Sequence, residues 1–324
     1  MERMGRRPVL VALIGAMCIA WSGPLVRLAD VPPSTAALYR CLLALPLLLL
    51  LARREDRRLA APLPHRTRWT AALAGAFFAC DLVLWHHAID AVGAGLATVL
   101  GNLQVLVVAV VAWWLLGERP HAGLIGSVPV LLLGVTLVSG VLGGETYGRD
   151  PVLGVVLGLA TSVAYAGFIL VLRQGSKDLR RLAGPLLWAT GSAAATAALL
   201  GAVLGELAVP SLPALGWLLV LALTAQVLGW LLISSSLPRL PAALTSVLLL
   251  AQPVGAIAVA GAVLGEAPTP VQLAGAGCIL LGVVLATATR PRGATTDAPI
   301  MEPVPAPRAA AAGTKPMIGA GQRG

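Results

Sequence analysis

Residues 104–118, QVLVVAVVAWWLLGE, return in altered form 148 positions later as QPVGAIAVAGAVLGE at 252–266. The match extends over 96–139 and 244–287, where 15 of 44 aligned positions are identical, against about six expected from composition alone. A weaker match at offset 144 aligns AWSG at 20–23 with AYAG at 164–167. The sequence therefore predicts a chain built from two related halves.

Composition places this duplicated chain in a membrane. Its 324 residues are 58% hydrophobic and 11% charged, with a mean hydropathy of +0.88, whereas soluble domains carry about 25% charged residues. A helix needs about 20 apolar residues to cross the hydrocarbon core, and turn-rich or Arg-rich breaks separate ten such runs. They cover roughly 8–28, 33–51, 69–90, 94–116, 121–141, 151–172, 184–204, 213–236, 241–264 and 268–289. The predicted fold is an all-α membrane protein with ten transmembrane helices.

Motifs for catalysis, nucleotide hydrolysis and metal binding are absent from the sequence. The four cysteines, Cys18, Cys41, Cys80 and Cys278, lie inside apolar runs and form neither a CxxC nor a Cys/His ligand spacing. HExxH, Walker GxxxxGK[ST] and GxSxG motifs do not occur. We therefore expect a protein that is not an enzyme, uses no cofactor or metal and does not hydrolyse ATP.

The basic residues predict the orientation of the spans. If the N-terminus is cytoplasmic, 20 of the 23 Lys and Arg residues lie on cytoplasmic segments, Arg27 and Arg149 lie outside, and Arg40 lies within a span. This asymmetry follows the positive-inside rule. It explains the net charge of +9 as a topology signal rather than a nucleic-acid footprint. Both termini are predicted to be cytoplasmic and the protein to lie in the plasma membrane.

An odd number of spans in each half makes the repeat inverted. The predicted segments are a cytoplasmic N-terminus 1–7, a first five-helix repeat 8–145, a second repeat 146–289 and a disordered cytoplasmic tail 290–324, which is rich in Pro, Ala and Gly. A cleaved signal peptide is the alternative for residues 1–20, but it is disfavoured because this segment has a counterpart in the second half. Inverted repeats are typical of alternating-access carriers.

The repeat and its motifs resemble a known family. Trp21-Ser22-Gly23 in the first span, Arg40 in the second, and fourth and ninth spans that end in Gly-Glu are similar to the EamA-type branch of the drug/metabolite transporter superfamily. The resemblance covers about 8–289 and implies a ten-helix carrier with a central cavity for small organic metabolites. One departure is that Val105 follows Gln104, whereas the Pro that is frequent in the family follows Gln252, as Pro253.

Polar and aromatic side chains inside the spans are the candidate binding residues, because an ionisable group costs at least about 2.5 kcal/mol at the centre of a bilayer. Asp81 and His86 are the titratable groups that favour proton antiport over simple exchange. The predicted substrate-binding residues are Trp21, Arg40, Asp81, Trp85, His86, Asn102, Gln104, Tyr165, Gln226, Trp230 and Gln252.

Structural interpretations of these residues remain open. Arg40 has a side chain long enough to snorkel to the outer interface, and Gln104 and Gln252 could merely bridge helices. The deeper tryptophans could line a wall for an apolar or cationic solute. Glu118 and Glu266 favour a structural role, because each stands in a Gly-Glu-x-Pro turn that ends a span.

Three functional classes compete at this level. The inverted repeat favours a secondary carrier over a channel, since no pore loop is repeated. An intramembrane enzyme would need a nucleophile or metal cluster, for which Asp81, His86 and His87 are the only contenders. A membrane scaffold or assembly protein is a further alternative. The expected partners are the lipid bilayer, a small organic solute and protons, with no nucleic acid and no prediction of oligomeric state.

Overall fold

The computed structural model describes residues 7–92, 97, 100–120, 122–138, 150–264 and 269–288, and every regular element in these residues is a helix. We number the α-helices in chain order. They are α1 Pro8–Ala20, α2 Ser22–Ala29, α3 Pro33–Leu59, α4 His65–Val92, α5 Gln104–Leu116, α6 Ala122–Val138, α7 Pro151–Gly175, α8 Ala183–Leu204, α9 Leu212–Leu221, α10 Trp230–Ser236, α11 Ala242–Leu249, α12 Gln252–Leu264 and α13 Pro270–Ala288. A π-helical segment, Ala222–Gly229, joins α9 to α10, and a 3₁₀ turn, Leu237–Arg239, follows α10.

Local sequence explains where several of these helices begin and end. Pro8, Pro33 and Pro151 stand in the first turns of α1, α3 and α7, where proline has no N–H to leave unpaired. Gly117 ends α5 with a left-handed φ of 67°, a conformation that glycine adopts without steric cost. This is the helix end predicted for the first Leu-Gly-Glu copy, whereas Gly265 and Glu266 of the second copy lie outside the described residues.

Six helical stretches of the described residues are long and apolar enough to cross a membrane. They are Pro8–Ala29, Pro33–Leu59, His65–Ala88, Val152–Gly175, Ala183–Leu204 and Leu212–Arg239. Four shorter apolar helices, Leu100–Leu116, Ala122–Leu137, Ala242–Ala256 and Leu273–Ala286, coincide with the predicted fourth, fifth, ninth and tenth spans. The chain is an all-helical membrane protein, and the count of ten spans stays a prediction.

Several of the apolar runs are broken within their length. Trp21 stands at the turn between α1 and α2. A tight turn at Leu103 precedes Gln104, and a turn at Ala251 precedes Gln252. The two turns are related by the repeat offset of 148 residues. Discontinuous helices expose backbone groups near the middle of a span and are common at carrier binding sites. The π-helical segment adds another irregularity, of a kind frequent at functional sites.

Close packing through small residues holds the helices together. The helix α4 packs against both α7 and α8, α3 packs against α8, and α6 packs against α13. Gly75 marks a very close approach, because a Cβ atom placed there would lie 1.9 Å from the carbonyl oxygen of Ala189 on α8. Small residues at helix contacts are the usual means of association in membranes, where burial of apolar surface contributes little.

An ionic cluster joins α5, α7 and α11 at the end of the molecule where α5 and α7 finish. Arg173 Nη1 lies 2.6 Å from Glu118 Oε1, and its Nε and Nη2 donate to the carbonyl oxygens of Leu237 and Leu240 at 3.0 and 3.1 Å. Glu118 Oε2 in turn accepts a hydrogen bond from the Ala242 N–H at 2.8 Å. We call these residues the Glu118–Arg173 clamp.

Two glutamates cap the antiparallel helices α3 and α8 at opposite ends of the molecule. Glu55, near the end of α3, accepts three backbone hydrogen bonds of 2.8 to 3.0 Å from 182–184 at the start of α8. Glu206, just after α8, accepts from the Ser34 hydroxyl at the start of α3. A carboxylate stabilises the positive end of a helix dipole. His87 Nε2 lies 3.4 Å from Glu206 Oε1 and links α4 to the second cap.

Several predicted segments lie outside the described residues. They include 1–6 of the predicted N-terminus 1–7, the boundary between the repeats 8–145 and 146–289, and the whole of the tail 290–324. The disordered tail and the division of the chain into these segments therefore stay predictions.

Candidate functional site

Three ionisable side chains from three helices lie in the same part of the helix bundle. Arg40 on α3, Asp81 on α4 and Tyr165 on α7 lie within electrostatic range of one another. Arg40 is only 5% exposed, whereas Asp81 and Tyr165 are half-buried. Arg40 and Asp81, both predicted as binding residues, share this cluster but do not form a direct ion pair. We call Arg40, Asp81 and Tyr165 the central cluster.

The burial of Arg40 speaks against the snorkelling interpretation. A snorkelling side chain keeps its charged end in contact with water or lipid headgroups, and such a group would be exposed at the protein surface. Instead the guanidinium carbon of Arg40 lies 5.4 Å from the centroid of the Phe78 ring, in a cation–π contact. The charge of Arg40 therefore points into the bundle.

Aromatic rings pack directly beside the central cluster. The Phe78 and Phe168 centroids are 4.6 Å apart, and the Trp230 ring stands edge-on to both, at 5.7 Å from Phe78 and 4.6 Å from Phe168. Tyr165 stacks on Phe168 at 6.3 Å. Trp230 is 1% exposed, and its Nε1 has no hydrogen-bond partner among the described residues. In this conformation Trp230 is thus part of an aromatic core rather than an open wall.

Sequence reasoning missed Phe78 and Phe168. A signal was available, because Phe78 precedes Asp81 by three residues and Phe168 follows Tyr165 by three. Residues three apart share one face of a helix. Two of the three phenylalanines in the chain lie at this spacing from predicted site residues. The spacing therefore indicates that Phe78 and Phe168 lie beside the site.

The two glutamines of the repeat occupy equivalent positions but contact different groups. Gln252 Nε2 donates to the Tyr165 hydroxyl at 3.4 Å, which connects α12 to the central cluster. Gln104 Nε2 donates to the Ser246 carbonyl oxygen at 3.4 Å, while its buried Oε1 has no partner among the described residues. Both side chains therefore bridge helices, as the structural interpretation allowed, and Gln252 also adjoins the ionisable residues.

Gln226 lies inside the π-helical segment and is buried. Its Nε2 donates to the Thr190 hydroxyl on α8 at 3.1 Å, and its Oε1 is buried without a partner among the described residues. A π-helix rotates one side chain out of the α-helical register. Thr190, which the sequence analysis did not single out, is the residue that orients this amide.

The remaining predicted residues have neighbours other than the central cluster. Trp21 is 39% exposed at the turn between α1 and α2. Trp85 packs against the buried Ala88 and Ala97. His86 Nδ1 lies 2.7 Å from the carbonyl oxygen of Leu82, one turn earlier in α4. Asn102 is half-buried directly before the turn at Leu103.

The structure therefore brings Arg40, Asp81, Tyr165, Trp230 and Gln252 together in one region. Arg40 and Asp81 come from the predicted first repeat, whereas Tyr165, Trp230 and Gln252 come from the predicted second repeat. Such a polar group inside an all-helical apolar bundle defines the class of the protein: an integral membrane protein with an ionic site between its helices.

The comparison with protein families identifies the chain more closely. The model of the EamA-like transporter family matches it twice, over residues 6–140 and 152–288. The chain belongs to the EamA-like transporter family, which confirms the resemblance inferred from the sequence motifs. Its membership makes it a membrane protein of a transporter family rather than one of an enzyme family.

The fold is also found among solved structures. A crystal structure of a protein 18% identical in sequence matches with a TM-score of 0.73, over 87% of this chain and 97% of that chain. At this level of identity the likeness concerns the fold alone. No curated protein matches the chain.

Proposed function

We propose that the protein is a secondary transporter that moves a small organic solute across the plasma membrane by alternating access. The observation that carries the proposal is the central cluster with its neighbour Gln252, because residues of both repeats surround it. A site between two halves becomes accessible from one side or the other when the halves rock against each other. The gradient that drives the cycle then acts by favouring one of the two states.

The proposed topology has ten spans, two inverted five-helix repeats and both termini in the cytoplasm. The four shorter apolar helices support the number of spans. The packing of α3 on α8 and of α6 on α13 supports the repeat, because each pair combines helices related by the offset of 148 residues. The Glu118–Arg173 clamp would then lie at the cytoplasmic end, and the Glu206 cap at the external end.

We expect a reporter fused after residue 295 to report a cytoplasmic C-terminus. The physical reason is the excess of Arg and Lys on the breaks assigned to the cytoplasm. Alkaline phosphatase and green fluorescent protein fusions at this position give opposite signals and control for each other. Phosphatase activity together with absent fluorescence would disprove the proposed orientation.

Proton coupling is the proposed source of energy, with Asp81 and His86 as the titratable groups. Asp81 lies within electrostatic range of Arg40 and Tyr165, so a change in its charge would alter the electric field at the site. Antiport, in which protons enter as solute leaves, is the preferred form, and it makes export the proposed direction.

An Asp81→Asn variant is expected to lose the pH dependence of transport and to slow it. A charged hydrogen-bonding group contributes about 1.5–3 kcal/mol, so its loss corresponds to roughly tenfold or more in rate. The measurement is uptake of labelled small metabolites into proteoliposomes from pH 5.5 to 8, with and without a pH gradient. Asp178→Asn, in the exposed turn before α8, is the matched control. Wild-type rates across this pH range would eliminate Asp81 as a coupling residue.

Alternating access is tested by locking each mouth in turn. One cysteine pair is placed beside Arg40 towards the proposed external end, and a second beside Ser235 towards the proposed cytoplasmic end. Crosslinking either pair is expected to stop flux, because the cycle requires both ends to open. Reduction of the crosslink should restore transport. Continued flux through protein with one mouth locked would favour a channel instead.

A further inference from the structure

Arg40 is deeply buried and has no hydrogen-bonding partner among the residues that the structure describes. It follows Pro33 by seven residues in α3, which places it about 10 Å along the helix from its first turn. Arginine keeps its charge in proteins and carries five N–H donors. Among the described residues, no group accepts a hydrogen bond from this guanidinium or forms an ion pair with it, and its Nε is fully buried.

The neighbours of Arg40 leave those donors available. Phe78 covers one face of the guanidinium at 5.4 Å and takes no conventional hydrogen bond from it. Asp81 is near enough to balance the charge but is not in contact. A buried unpaired cation is costly, so the arrangement favours a bound group that accepts hydrogen bonds.

A second donor without a partner among the described residues belongs to Trp230, whose ring contacts the same phenylalanine. Trp230 Nε1 is buried and has no partner in the described part of the chain, and the Trp230 ring centroid lies 5.7 Å from that of Phe78. Gln226 Oε1, on the adjoining π-helical segment, is a buried acceptor that also has no partner there. It carries no charge, so the net charge of the site remains positive. Two free donors, one of them cationic, match an acceptor-rich ligand rather than a cation.

We propose that Arg40 binds a carboxylate of the transported solute when the helices around it open, with the hydrocarbon part of the solute beside the aromatic core of Phe78, Phe168 and Trp230. The planar fork of a guanidinium matches two carboxylate oxygens in a bidentate contact. This inference rests on the proposed transport function and names its substrate class, a small organic carboxylate. It replaces the cationic solute suggested by the deep tryptophans, because Arg40 already occupies a face of Phe78.

The test compares benzoate with benzamide, which has nearly the same shape but no charge. Purified protein in detergent is heated at constant ionic strength, and the unfolding temperature is recorded against the concentration of each compound. Benzoate is expected to stabilise the wild type and benzamide is not. Arg40→Gln should weaken the apparent benzoate affinity roughly tenfold or more, because a charged hydrogen-bonding contact is lost. Arg180→Gln, which removes an exposed arginine from a turn, should leave the affinity unchanged.

A second variant guards against misfolding. Arg40→Lys keeps the charge but lacks the bidentate fork, so it should bind benzoate more weakly than the wild type and more tightly than Arg40→Gln. If Arg40→Gln does not elute as a single species in size-exclusion chromatography, the test rests on whether Arg40→Lys binds benzoate more weakly than the wild type. Equal stabilisation by benzamide, undiminished benzoate affinity in the folded variants, or no stabilisation of the wild type by benzoate, hexanoate or pyruvate would overturn the proposal.

Binding in detergent and flux in proteoliposomes separate this inference from the proposed function. If benzoate binds through Arg40 but is not moved across the membrane, transport of small organic carboxylates is refuted and the binding site is retained. If the protein transports neutral or cationic metabolites but does not bind carboxylates, the carboxylate site is refuted and the proposed transport function is retained.

Discussion

A Gly75→Ala variant is expected to unfold at a clearly lower temperature than the wild type, or to fail to accumulate in the membrane. The added Cβ would stand 1.9 Å from the carbonyl oxygen of Ala189 and 2.7 Å from its carbonyl carbon. Both are backbone atoms, so no side-chain rotation relieves the overlap, and α4 must move away from α8. Overpacking typically costs about 1–3 kcal/mol and occasionally more, and an overlap with backbone atoms places this variant at the upper end of that range. The measurement is the unfolding temperature in detergent, followed by size-exclusion chromatography.

Gly216→Ala is the matched control for this prediction. Gly216 lies on the exposed side of α9, and a Cβ atom there has no heavy atom within 4 Å. Alanine should therefore be neutral or stabilise the helix by about 0.5–1 kcal/mol. If both variants unfold at the same temperature, α4 and α8 do not approach each other as closely as described.

The second large effect is expected from Arg173→Gln in the Glu118–Arg173 clamp. The substitution removes the 2.6 Å ion pair with Glu118 and the hydrogen bonds to two carbonyl oxygens in the turn before α11. The paired side chains are only 15% and 27% exposed, so water replaces the lost contacts incompletely. We expect a loss of about 2 kcal/mol of stability, below the range for a fully buried pair.

Arg180→Gln offers the same substitution in an exposed setting. Arg180 pairs with Asp178 at 3.0 Å, but these side chains are 75% and 40% exposed, and an ion pair at the surface contributes little to stability because water screens it. Thermal unfolding of both variants should therefore show a much larger change at Arg173. Equal changes would mean that the clamp contributes no more than a surface ion pair.

Because the clamp joins α5 to α7 and α11, Arg173→Gln should also make a cysteine at Ser235 easier to label.

Properties carried by a single helix were largely accessible from the sequence. A transmembrane helix satisfies its own backbone hydrogen bonds, so its existence depends on local apolar content, and this is why apolar runs and the Leu-Gly-Glu helix end at Gly117 could be predicted. The cost of an ionisable group in a bilayer is also local. It singled out Arg40 and Asp81 before any contact between helices was known.

Which of these residues meet was decided by the tertiary structure. Arg40, Asp81, Tyr165 and Gln252 come from four helices, and no local pattern states which of their faces turn towards one another. The partner of Glu118 is 55 residues away at Arg173, and the need for glycine at position 75 comes from a backbone more than a hundred residues later. Apolar content and charge are sums over neighbouring residues and belong to the sequence, whereas ion pairs, cation–π contacts and steric limits depend on distances that exist only once the helices have packed.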